Sequence, residues 1–210
     1  MAAELIRINP DKPNPEEIQR VVNVLRDGGV IIYPTDTVYG LGCDITKKRA
    51  VERIAKLKHI PVEDAKFAMI FYDLSHLADY TKPLDNRLFR IMKKALPGAF
   101  TFILEANNNV PKVFNKHKKK EVGIRVPDNL IPREIVRMLG NPIVTTSIHD
   151  DDEIIDYTTD PYMIYENFKD QVDLVIDGGY GNNIPSTIVN CTDDEIEIIR
   201  QGLGELDEYL

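Results

Sequence analysis

The sequence predicts a single α/β domain built on a twisted mixed sheet, and three observations carry that expectation. Amphipathic helical stretches alternate with short apolar runs of strand length through the first part of the chain. The later part is strand-rich and contains the turn Gly178-Gly179-Tyr180-Gly181-Asn182-Asn183, which argues against a doubly wound parallel sheet. A length of 210 residues with 43% hydrophobic content suffices for one substantial core. No linker, repeat or low-complexity tract divides the chain, and it has neither a G-x-G-x-x-G nor a P-loop lysine motif.

The spacing of Ile18, Val21, Val22 and Leu25 predicts a helix between Pro13 and Gly29, with Pro15 in its first turn and Gly28-Gly29 as its stop. A buried strand, Val30 to Tyr33, follows and must end at Pro34, which has no ladder donor. Ala50, Val51, Ile54, Ala55 and Leu57 mark a second helix ending before Pro61, and Phe67 to Tyr72 reads as another strand. A short helix is expected over Ser75 to Tyr80. A longer one carries Leu84, Leu88, Ile91, Met92 and Ala95 up to Pro97-Gly98. Strands are then expected at Phe100 to Glu105, Val122 to Val126, Pro142 to Ile148, Val172 to Asp177, Ser186 to Asn190 and Ile196 to Arg200. Helices are expected at Ile131 to Leu139 and Tyr162 to Phe168.

Charge and cysteine content narrow the function classes. A formal charge of −8 argues against indiscriminate nucleic-acid binding. The charge is uneven, however: Pro111 to Arg137 is locally basic, with Lys118, Lys119 and Lys120 at its centre, a surface that would attract structured RNA. Acid collects later, from Asp150-Asp151-Asp152-Glu153 to Asp177. Cys43 and Cys191 make neither a disulfide framework nor a metal knuckle, and no metal site is expected from the protein itself. The sequence shows no basic leader, signal core or membrane-length apolar run, so a cytoplasmic protein is the expectation.

The candidate site starts where the strand Val30 to Tyr33 runs into Thr35, Asp36, Thr37 and Tyr39, with Gly40 and Gly42 expected to let backbone approach a bound group. Other strand and helix ends deliver Lys58, Arg125, Thr145-Thr146-Ser147, Ser186 and Arg200. Hydroxyls and cations converging on one hollow suit an anion such as a triphosphate, because guanidinium is a planar fork of donors. Arg125 sits among the apolar Val122, Ile124 and Val126, beside Gly123, and so needs either an acid of this chain or an anionic ligand. None of His59, His76, His117 and His149 has metal spacing or a serine elbow beside it, so hydrolase triads have no support.

In order, GGVIIYPTDTVYGLG, LPGAFTFIL, VGIRVP, PIVTTS, VDLVIDGGY, PSTIVN and IIRQGLG resemble the YrdC/YciO superfamily of L-threonylcarbamoyladenylate synthase-like proteins, most closely its YciO branch. The resemblance spans nearly the whole chain. It implies helices around a mixed sheet with a large basic cleft, and a reaction of L-threonine, bicarbonate and ATP, with Mg²⁺, to threonylcarbamoyl-AMP and pyrophosphate. It implies Lys58, Arg125, Ser147 and Arg200 on the nucleotide, with Lys58 and Arg125 catalytic, and Thr35, Thr146 and Ser186 on the amino acid. Three positions depart from the synthase pattern: Ile60 replaces an arginine, His149 an asparagine, and Phe71 a histidine. A weakened or altered activity is expected, or RNA binding without catalysis.

Overall fold

The computed structural model describes residues 2–111, 120–148, 159–193 and 195–210. Its strands form a ten-stranded mixed sheet: β1 (Glu4–Arg7), β2 (Val30–Tyr33), β3 (Gly40–Asp44), β4 (Ala68–Ile70), β5 (Phe100–Glu105), β6 (Glu121–Arg125), β7 (Ile143–Ser147), β8 (Leu174–Asp177), β9 (Thr187–Asn190) and β10 (Glu197–Arg200). The spatial order is β1-β8-β2-β3-β7-β4-β6-β5-β9-β10. Parallel pairs (β1 with β8, β2 with β8, β4 with β6, β5 with β9) are mixed with antiparallel ones, three of which run consecutively from β2 through β3 and β7 to β4.

The helices are α1 (Pro15–Arg26), α2 (Lys48–Leu57), α3 (Asn86–Ala95), α4 (Leu130–Leu139) and α5 (Pro161–Phe168). Their starts follow local chemistry: the side chains of Asn14, Asp85, Asn129 and Asp160 each accept a backbone N–H of the first turn. Gly140, at φ 86°, ends α4 in the left-handed conformation that glycine adopts without a Cβ penalty. Two sequence expectations change. Gly40 to Asp44 is a buried strand and not a loop, and residues 75–80 hold only a single 3₁₀ turn, Leu77–Asp79. The edge strand β1 was not expected either; its alternation is too short to read.

The sheet separates two apolar layers. Helices α1 and α4 pack on one face through Ile18, Val22, Leu25, Ile131 and Ile135, against Ile31, Ile143 and Leu174. On the other face α2, α3 and α5 bury Val51, Ile54, Met92 and Ile164 against Ile32, Leu41, Val144 and Phe102. Each such side chain contributes about 1.5–3 kcal/mol on leaving water. The most extensive contacts of α1 and α4 with the sheet are to β2, β3 and β4, and the same face continues through β6, β5, β9 and β10. There the floor is made of small and polar residues, and the site lies on it.

Candidate functional site

The strand register puts the floor of the site on one pleat face. Gly40 lies opposite Ser147, Thr145 opposite Ala68, Ala68 opposite Gly123, Thr101 opposite Ile188, and Ile188 opposite Arg200. A cavity of about 140 Å³ opens over this floor, and its lining includes Arg125, Arg200, Lys66, Thr101, Ser147 and Ser186. Thr145 and Thr146 also border it. The charged side chains of the lining are therefore all basic, and the remaining polar ones are alcohols. Such a set holds an anionic group carrying further hydrogen-bond acceptors.

Arg125 ends β6 with its side chain only 9% exposed. Its Nη2 donates to Asp36 Oδ1 and to Thr37 Oγ1, both at 3.0 Å. Asp36 is fixed in turn by the backbone N–H of Asp128, which donates to Oδ2 at 3.0 Å. The Nε of Arg125 is buried without a hydrogen-bond partner, although a buried donor normally has one. Arg125 thus lines the cavity with its buried Nε left outside the hydrogen-bond network. The internal salt bridge foreseen as the ordinary explanation of Arg125 is thus present, and it orients the guanidinium without using all of it.

The other expected residues divide by position. Arg200 Nη2 donates to the Ser186 carbonyl at 3.0 Å, and the Ser186 hydroxyl pairs with Thr101 Oγ1 at 2.8 Å. Lys58 caps the C-terminus of α2, its Nζ donates to the Ser147 carbonyl at 3.3 Å, and it is not among the residues lining the cavity. Thr35 lies elsewhere: its Oγ1 donates to the Val38 carbonyl at 2.7 Å and accepts from Thr37 N–H at 3.0 Å, and it lines a neighbouring hollow. Lys118, Lys119 and His149 fall outside the described residues, and Lys120 is exposed with Nζ on Asn108 Oδ1 at 2.7 Å.

The glycine expectations need correction. A Cβ on Gly40 would stand 2.9 Å from Tyr33 Cζ, and one on Gly42 would stand 2.6 Å from the Val144 carbonyl oxygen and 2.9 Å from Tyr33 Cε1. Both glycines make room for the Tyr33 ring, whose hydroxyl hydrogen-bonds Thr145; Gly40 also lines the cavity, whereas Gly42 is not in its lining. Gly123 likewise leaves no space beside Arg125, since its missing Cβ lets Ala68 and Thr101 close together. Phe71 points away from the cavity into the α3 side of the core, its ring 5.6 Å from that of Tyr80. Burial raises the pKa of the Tyr33 phenol and of the Cys43 thiol, which keeps both neutral.

Sequence reasoning missed Lys66, Thr101 and, as the Arg125 partner, Asp36. Lys66 belongs to no quoted motif, and Thr101 lies within LPGAFTFIL without being singled out there; both line the cavity, with β4 and β5 on either side of β6. Among the described residues no three His, Cys, Asp or Glu side chains gather to hold a metal ion. Among the described residues, the Asp36 carboxylate is engaged by Arg125 and by Asp128 N–H rather than open to a Mg²⁺ ion.

The Sua5/YciO/YrdC family model, which carries the description Telomere recombination, matches residues 23–202. The chain belongs to this family. The uncharacterized protein YciO of Escherichia coli strain K12 is 38% identical over 209 residues, which is 99% of this chain and 100% of YciO. The crystal structure of E. coli YciO superposes with a TM-score of 0.91 over the same shares of the two chains. The threonylcarbamoyl-AMP synthase of Nitrosococcus oceani is 30% identical over 172 residues, covering 81% of this chain and 91% of the synthase. P. abyssi Sua5 complexed with L-threonine, at 24% identity, has the same fold, with a TM-score of 0.83 over 94% of this chain and 57% of that one. The Sua5/YciO/YrdC fold expected from the sequence is the fold found. No helix among the described residues is long and apolar enough to cross a membrane.

Proposed function

We propose that this member of the Sua5/YciO/YrdC family binds ATP and L-threonine and makes threonylcarbamoyl-AMP, with bicarbonate as the one-carbon donor. One observation carries the reading: Arg125, Arg200 and Lys66 line a single cavity walled with alcohols. Relatives of this chain supply the reaction class, since threonylcarbamoyl-AMP synthases are among them.

The chemistry asks for placement and charge neutralisation, not for a protein nucleophile. The threonine amine adds to bicarbonate with loss of water to give a carbamate. A carbamate oxygen then attacks the α-phosphorus of ATP, and the bond from that phosphorus to the bridging oxygen breaks to release pyrophosphate. Arg125 and Arg200 stabilise charge on the phosphoryl oxygens, with the ammonium of Lys66 beside them. Lys58 acts at one remove, by fixing the end of β7 and with it Ser147. Ser147 and Ser186 offer hydroxyls to the amino acid and nucleotide, Thr146 borders the cavity from the other pleat face opposite Leu41, and Thr35 shapes the turn that carries Asp36.

Ile60 stands where the synthases have an arginine, and loss of a guanidinium from a phosphate clamp costs about 2–5 kcal/mol. Turnover is therefore slower than in a synthase with the complete signature. The test is incubation of the purified chain with threonine, bicarbonate, MgCl₂ and ATP, followed by a coupled assay for pyrophosphate and by thermal-shift measurements. Threonine-dependent pyrophosphate supports the reading. Absence of both product and an ATP-induced shift in melting temperature rejects it.

A further inference from the structure

Helix α3 carries cations and no carboxylate, which is true of none of the other four helices. Its apolar residues Leu88, Ile91, Met92 and Ala95 are buried in the core. At about 100° per residue, Asn86, Arg87, Phe89, Arg90, Lys93 and Lys94 share the outward arc, and all six are exposed. Four cations and one aromatic ring therefore occupy a single face. Phe89, 40% exposed, is its one apolar residue.

Nothing in the fold neutralises that face. Among the described residues none of Arg87, Arg90, Lys93 and Lys94 forms an ion pair, and Arg90 Nε donates at 3.1 Å to the Asn86 carbonyl of its own helix. Asp85, which precedes the helix, is taken by the backbone N–H groups of Arg87 and Leu88 as their cap. Arg90 stands three or four residues from Arg87, Lys93 and Lys94, a spacing at which like charges repel. Arg87 also lies in the first turn, where the helix dipole favours an acid. On a chain of net charge −8, an unpaired basic face built against its own repulsion marks a surface that meets an anion.

The composition of the face selects the anion. A protein partner would require an apolar centre, and a membrane an apolar helix face to insert, but the apolar side of α3 is already used by the core. A phosphodiester strand requires neither, because contacts to its phosphates supply the affinity. Phe89 suits a strand with unpaired bases, since a base splayed out of a duplex can lie on an aromatic ring between cations. The Asn86 side-chain amide both donates and accepts, as a 2′-hydroxyl does. We infer that the outer face of α3 docks single-stranded RNA, with Arg87, Arg90, Lys93 and Lys94 on its phosphates and Phe89 under one base. This surface is separate from the Lys118 to Lys120 segment. It is also independent of the ATP-binding reading, because α3 packs on the sheet face opposite the cavity.

The experiment is fluorescence anisotropy of the full chain with a labelled uridine RNA of about 12 nucleotides, from about 50 to 200 mM KCl. A thymidine DNA of the same length, an RNA duplex and phosphatidylserine vesicles are run beside it. The wild type is expected to bind the uridine strand most tightly, with a slope of log affinity on log salt of about −3. The variant Arg87→Gln/Arg90→Gln/Lys93→Gln/Lys94→Gln should lose most of that slope and at least about tenfold in affinity at the lowest salt, with its helices verified by circular dichroism. Phe89→Ala should weaken binding about fivefold or more and leave the slope unchanged. Wild-type affinity and slope in the fourfold variant, or no effect of Phe89→Ala, overturns the inference. So does a wild type that binds the DNA, the duplex or the vesicles more tightly than the uridine strand, or that binds no RNA.

Discussion

Arg125 and Asp36, drawn from β6 and from the turn after β2, form an ion pair at 3.0 Å with their side chains 9% and 11% exposed. Removing one partner leaves the other charge buried without compensation, which costs about 3–5 kcal/mol. Asp36→Ala also strips the acceptor from Asp128 N–H. Urea denaturation of Asp36→Ala is expected to show a loss of about 3 kcal/mol or more; a loss below about 1 kcal/mol would mean that water reaches the pair and screens it.

The two glycines of β3 separate by their neighbours. Gly40→Ala collides with a side chain, the Tyr33 ring, whereas Gly42→Ala also meets the Val144 carbonyl oxygen, which is backbone. Each variant is expected to lose about 1–3 kcal/mol by overpacking. Combining Tyr33→Leu with Gly40→Ala should recover part of the loss, and combining it with Gly42→Ala should not. Thermal denaturation of the four variants checks this, and equal recovery in both pairs refutes the assignment.

Arg200 reaches the cavity from β10, held by the Ser186 carbonyl. Arg200→Ala is expected to lower kcat/KM for pyrophosphate release by roughly 30-fold to several-thousand-fold, the equivalent of about 2–5 kcal/mol. Arg200→Lys should restore only part of it, because an ammonium lacks the planar fork. A variant as active as wild type removes Arg200 from the machinery.

Alkaline stability follows from the buried phenol and thiol. Both folded-state pKa values are raised by burial above the ordinary values of 10.0 for Tyr33 and 9.0 for Cys43. The unfolded chain therefore loses these protons first, and the fold loses stability as pH rises. The contribution is complete below pH 9.0, begins to fall as the thiol value is passed, and steepens beyond 10.0. Urea midpoints measured from pH 8 to about pH 10.5 should decline, with a shallower decline for Cys43→Ala. A flat profile would show that neither group is shielded.

Periodicity and capping made most elements legible, because the apolar spacings of α1, α2, α3 and α4 coincide with the residues they bury. β3 was unreadable for a physical reason. Its sequence, Gly-Leu-Gly-Cys-Asp, looks like a loop because the space usually filled by its own side chains is filled by Tyr33. Arg125 was legible as a strand-end charge among apolar neighbours, and Arg200 as the charge that closes the last strand. Lys66 and Thr101 were not singled out; the strand order sets β4 and β5 on either side of β6, and both residues line the cavity with Arg125. Thr35 was the reverse case: the density of hydroxyls marked a site, but the nearest partners of its own hydroxyl are the atoms of its turn.

The parallel union of β1 and β8 aligns Glu4 with Leu174, and β8 also flanks β2 through Ile31. Contacts of such long sequence separation belong to slowly folding topologies, whose loop closure must precede the reward. During synthesis the apolar β2 has no neighbour on its β8 side until most of the polypeptide has left the ribosome. Its unsatisfied edge is the place where a nascent copy is most prone to self-association, and where chaperone protection would count most.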